Sequence, residues 1–167
     1  MKNINAYINM KHINTYIIEK LKITYKGKAE YTLFPIDLDE LHNMVFNEIS
    51  TNGENCSLNH IDTSKITDMA YLFDHSNFNG DISQWDVSNV TDMHCMFKNS
   101  EFNGDISNWD VSNVKDMAFM FYQSIFNQDI SEWDVSNVEN MESMFSASQF
   151  NQDISNWDVS NVIVMRC

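Results

Sequence analysis

Tryptophan recurs at Trp85, Trp109, Trp133 and Trp157, one every 24 residues, and the surrounding F-N-G/Q-D-I-S-x-W-D-V-S-N-V recurs with it. Complete units run Phe78 to Glu101, Phe102 to Ile125 and Phe126 to Gln149. An earlier unit, Glu54 to Asn77, diverges in its first half but keeps Leu58, Ile61, Asp62, Ser64, Ile66, Asp68, Met69 and Phe73 in register, and a last one runs from Phe150 to Cys167. No segment this short buries its own apolar face, so neighbouring units must stack and share one core. The expected fold class is an α/β repeat solenoid over residues 54–167, in about 4.7 repeats.

Two periodicities alternate inside a unit. Ile82, Trp85 and Val87 have the L-x-x-L-x-L spacing with which a short strand and its approach turn send side chains inward. Val90, Met93, Met96 and Phe97 then lie at i, i+3, i+6 and i+7, the spacing of one face of a short helix. Asn89 stands where its side chain can cap that helix, with Asp92 in the first turn at the positive end of the dipole. Each coil is thus expected to run strand, tight turn, short helix and return loop, with Phe102 plugging the loop side.

The repeated F-N-x-D-I-S-x-W-D-V-S-N-V-x-x-M-x-x-M-F resembles the BspA-type leucine-rich repeat surface proteins over Glu54 to Cys167. The resemblance implies a leucine-rich-repeat-like solenoid that acts outside the cell or on its surface, in adhesion or binding to partner proteins. One departure is visible: the ladder asparagine of ordinary leucine-rich repeats falls one place early here, at Asn89, Asn113, Asn137 and Asn161.

Residues 1–53 are expected to form an N-terminal hairpin and capping helix. Leu21, Ile23 and Tyr25 alternate, Lys26-Gly27-Lys28 interrupts, and Ala29, Tyr31 and Leu33 resume, which places all six on one hairpin face. After Pro35, Asp37 can cap a helix with Glu40 at its third position; Leu38, Leu41, Val45 and Ile49 follow at helical spacing until Asn52-Gly53 ends it. Such a helix suits the closure of the first coil, and the resemblance extends to it, because a similar segment often precedes these repeats.

The net charge of −14 lies wholly in the repeats, since residues 1–53 carry six lysines and six acidic residues. A chain this acidic is a poor partner for nucleic acid or an anionic membrane, because lysine and arginine contacts to phosphate dominate such binding. At 43% apolar residues it can nonetheless build a core. Asparagine, lysine and histidine interrupt every apolar run in Met1 to Lys20, so no secretory signal is visible there and no transmembrane segment follows. On sequence alone this reads as cytoplasmic, whereas the resemblance implies a surface or secreted protein. Cys56, Cys95 and Cys167 have no metal-ligand spacing, and Cys95 and Cys167, three repeats apart, would stand roughly 14 Å apart at strand spacing, beyond disulfide reach.

The residues that change between otherwise fixed repeats are the candidate binding surface for a protein partner: Gln84, Asn108, Glu132 and Asn156 beside the tryptophan, and Thr91, Lys115, Glu139 and Ile163 after the valine. The aspartate column Asp81, Asp105, Asp129 and Asp153 is an alternative site, for calcium-dependent stabilisation. The competing reading has each aspartate accept amides of its own turn. Serines recur without a paired histidine, and no phosphate-binding glycine motif occurs, so no enzyme, nucleotide or cofactor is expected. The last unit stops before its Met-Phe pair, which suggests self-association through an open final coil or a truncated product of a longer repeat gene.

Overall fold

A computed structural model describes residues 31–166. The expected hairpin therefore lies outside the described residues apart from Tyr31 and Leu33, as does Cys167. Leu33 forms a parallel bridge with Ile61. The helix, α1, spans Leu38–Asn52. Asp37 caps it by accepting from the Glu40 amide at 2.9 Å, and the Glu40 carboxylate accepts in return from the Ile36 amide at 3.2 Å. Gly53, in the left-handed region at φ 85°, ends it with its amide donating to the Ile49 carbonyl. Leu41 and Val45 enter the same core as Leu58 and Ile61, so α1 covers the apolar end of the first coil.

After α1, every unit makes one coil and lies on the next with a 24-residue register. Two main sets of backbone bonds tie coil to coil. Met69, Tyr71, Phe73 and His75 donate to the carbonyls of Asp92, His94, Met96 and Lys98 at 2.8 to 2.9 Å, and the pattern repeats one coil on from Met93, Cys95, Phe97 and Asn99. In the opposite direction Thr91, Lys115, Glu139 and Ile163 each donate to the residue 24 places earlier, at 2.8 to 2.9 Å. Isolated parallel bridges mark this seam at Asp68, Asp92, Asp116, Asn140 and Val164.

Two local expectations are corrected. Ile82 to Val87 forms no strand, because the Asp81 and Asp86 carboxylates capture the amides of Ser83 and Ser88 and fold the chain into turns closed by Trp85 N–H to the Ile82 carbonyl. Val90 to Phe97 forms no helix. Its bonds are successive three-residue turns, Met93 to Met96, Cys95 to Lys98 and Phe97 to Ser100, while every second amide is spent on the next coil. Asn89, no longer a cap, reaches back 25 residues and donates to the Ser64 carbonyl at 2.9 Å; Asn113, Asn137 and Asn161 do the same.

Serving both the coil's own turns and the coil-to-coil bonds bends the backbone. Tyr71, Cys95, Phe119 and Ser143 in one column, and His75, Asn99, Gln123 and Ala147 in another, take φ between 49° and 60°. For an L-residue this costs about 1–2 kcal/mol each. The core supports it. Phe73, Phe97, Phe121 and Phe145 stack at 5.4 to 5.7 Å with rings 2° from parallel, and Phe78, Phe102, Phe126 and Phe150 stack beside them at 6.2 to 6.3 Å. Each fully buried phenylalanine contributes about 1.5–3 kcal/mol. The indoles of Trp85, Trp109 and Trp133 are buried, and each donates its ring N–H to a carbonyl of the preceding coil at 3.0 to 3.2 Å. The tryptophan column is core through Trp133 and half-buried at Trp157.

Three substitutions test this backbone. A Cβ at Gly80 would lie 1.9 Å from the Cys56 carbonyl oxygen, whereas at Gly104 it meets only the Phe102 ring below 3.0 Å, and Gln128 occupies the equivalent place one coil on. Gly80→Ala is expected to cost about 1–3 kcal/mol in urea unfolding and Gly104→Ala clearly less. Gln123→Gly removes a left-handed side chain that is exposed, so its calorimetric melting temperature should rise by about 1–4 °C, the opposite of glycine's ordinary effect.

Candidate functional site

Gln84, Asn108, Glu132 and Asn156 are all exposed, one per coil beside the turn that carries the tryptophan. Thr91, Lys115, Glu139 and Ile163 are exposed as well, on the donating side of the backward seam. Six residues separate the two columns in each coil, for example Trp85 to Val90. Lys115 and Glu139 approach to 3.5 Å with about half of each side chain in solvent, and an ion pair so exposed contributes little.

The aspartate columns are occupied by their own turns. Asp81, Asp105, Asp129 and Asp153 each accept the amide two residues on at 2.9 to 3.0 Å. Asp86, Asp110, Asp134 and Asp158 do likewise at 3.0 to 3.1 Å. In Asp105, Asp129 and Asp153 the serine amide and then its hydroxyl hold the carboxyl below the usual carboxylate value; in Asp134 and Asp158 the hydroxyl leads and the amide follows. Burial acts upward on Asp81, but bonds from Ser83 and Asn59 outweigh it. Among the described residues no group of three or more histidine, cysteine, aspartate or glutamate side chains is arranged to hold a metal ion.

The seam column behaves differently. Burial first, and then the neighbouring carboxylates of Asp68 and Asp116, push Asp92 above the usual value despite the bond it accepts from the His94 amide at 2.8 Å. Two coils further on, Asn140 makes the equivalent bond to the Glu142 amide and also donates to Asp116 at 2.9 Å, so an amide fits the column and relieves its charge.

A third surface escaped the sequence reading: the columns with left-handed backbone and their neighbours. Here Tyr71, half exposed, meets His94 edge-on at 5.2 Å between ring centroids, with its hydroxyl 3.0 Å from His94 Nε2. His94 meets Phe119 at 5.9 Å, and Phe119 meets Tyr122 at 5.7 Å, again edge-on. Asp116 Oδ1 lies 3.7 Å from His94 Nδ1. Cys95 is buried beneath, and burial first pushes its thiol up, which keeps it protonated and unreactive. The sequence carried one usable signal. These columns change from unit to unit as freely as those beside the tryptophan and after the valine, but the helical spacing around them draws attention to the buried Met and Phe instead.

No helix among the described residues is long and apolar enough to cross a membrane. A family model described as Mycoplasma protein of unknown function, DUF285, matches residues 39–145 and 122–167. No curated protein and no solved structure matches the chain.

Acid should act on the carboxylates with lowered values. Their contribution is complete above about pH 4, the ordinary unfolded value, and is lost as pH falls through their lower folded values, so thermal melts should drop most steeply below pH 4. Asp92 has the opposite sign: its raised value costs stability at neutral pH. Asp92→Asn is expected to melt at or above the wild-type temperature at pH 7, with the difference closing on acidification, while Asp92→Ala loses the turn bond and about 1 kcal/mol.

Proposed function

The chain belongs to the DUF285 family of unknown function, and on that premise we propose that it is a non-enzymatic interaction module of the BspA-type, leucine-rich-repeat-like kind. Its exposed acidic and asparagine-rich columns would engage a protein partner, in adhesion at a cell surface or outside the cell. One observation carries the reading. The residues that vary between otherwise fixed units, Gln84, Asn108, Glu132, Thr91, Lys115 and Glu139, are all exposed, on a scaffold whose shared core and coil-to-coil bonds hold them at fixed spacing. Stacked repeats offer extended surfaces of this type, and changing exposed side chains leaves the core untouched. The turn-bound carboxylates support binding better than acid–base chemistry, which needs two groups in contrasting environments at one place.

The test uses the full chain immobilised against cell extracts, with captured proteins identified and their affinities measured by calorimetry. A variant carrying Gln84→Ala, Asn108→Ala, Glu132→Ala and Glu139→Ala should keep its melting curve and bind the captured protein at least tenfold more weakly. Equal affinity of variant and wild type would remove these columns from the function.

A further inference from the structure

Nothing in the turn geometry requires the aromatic side chains of the left-handed columns. The position of Tyr71 and Phe119 is filled by Cys95 and Ser143 in the other coils, at φ 55° and 49°, with the same amide bond to the next coil at 2.7 to 3.0 Å. A large aromatic residue is among the least suited to positive φ. Strain kept where a smaller residue makes the same turn points to a use for the side chain. The two rings are not isolated either. With His94 and Tyr122 they form an unbroken edge-to-face row across three coils, partly open to solvent, and the row ends where Ser143 and Ser146 replace Phe119 and Tyr122.

The rim is acidic. Asp116 Oδ1 stands 3.7 Å from His94 Nδ1, Asp92 accepts from the His94 amide at 2.8 Å, and Asp74, three residues after Tyr71, has its Oδ1 buried without a hydrogen-bond partner and 3.7 Å from the His75 ring. One cation, Lys98, shares a column with Asp74 and Tyr122. An aromatic face attracts a cation by its quadrupole, and a guanidinium can lie flat on a ring while donating in parallel to a carboxylate, which an ammonium cannot.

We propose that the row of Tyr71, His94, Phe119 and Tyr122, with its rim of Asp74, Asp92 and Asp116, is the docking site for an arginine-bearing extended segment of a partner protein. The proposal rests on the interaction reading and locates the contact on other columns than those beside the tryptophan. The arginine planes cover the open parts of the rings and their N–H groups face the rim.

The test is titration of the isotope-labelled full chain with the capped peptide acetyl-Gly-Arg-Gly-Arg-Gly-amide at physiological salt, followed by amide NMR shifts. Saturable shifts are expected around Tyr71, His94, Phe119 and Tyr122, with affinity falling at least tenfold when citrulline replaces arginine. Tyr71→Ser with Phe119→Ser, which copies the residue at Ser143 and so is compatible with the turn, should lose affinity by a similar factor without lowering the melting temperature. Equal binding by this variant, shifts spread over every carboxylate column, or no shifts at all would overturn the docking site. None of these results touches the capture experiment with the Gln84 and Glu139 columns, so the broader reading stands or falls separately.

Discussion

Each coil is held to its neighbour by a ladder of alternate amides, and this sharing of backbone bonds between coils is what governs the remaining structure. Met69, Tyr71, Phe73 and His75 cannot donate both within their own coil, as a helix would need, and across to the next; they donate across. The chain is then left with three-residue turns as its only local bonds, and it reaches the required directions by placing two residues per coil in the left-handed region. The cost is spread over eight residues and offset by phenylalanine columns that no single coil could bury.

Side chains complete the same scheme. Each tryptophan N–H and each asparagine of the S-N-V segment reaches a carbonyl of the preceding coil, and the Asn79, Asn103 and Asn127 side chains accept the amide 24 residues on, at 2.8 to 2.9 Å. Buried turns would otherwise leave backbone groups unpaired at about 1–3 kcal/mol each. The invariance of these residues from unit to unit is therefore a structural requirement, and the aspartates share it through their turns. The positions left over vary from unit to unit, among them the two exposed columns read from the sequence and the aromatic row along the left-handed backbone.

The local elements show where sequence reading works. Asp37, Glu40 and Gly53 set the bounds of α1, because caps are chemistry between near neighbours. The i, i+3, i+6, i+7 spacing of Val90, Met93, Met96 and Phe97 misled, since a string of three-residue turns returns side chains to one side almost as a helix does. Asn89 has the residue type of a cap and serves a carbonyl 25 positions away. Its role could be seen only once the neighbouring coil was in place.

Unit length, register, the inward columns and the helix over the first coil were all legible in the order of residues, because they follow from repeated apolar side chains that must find cover and from capping groups a few residues apart. The backbone within each coil, the left-handed positions and the meeting of Tyr71, His94, Phe119 and Tyr122 were settled in three dimensions. Each of those depends on a bond or contact to a residue about 24 places away, and the choice between bonding within a coil and bonding across it is made only when the coils meet.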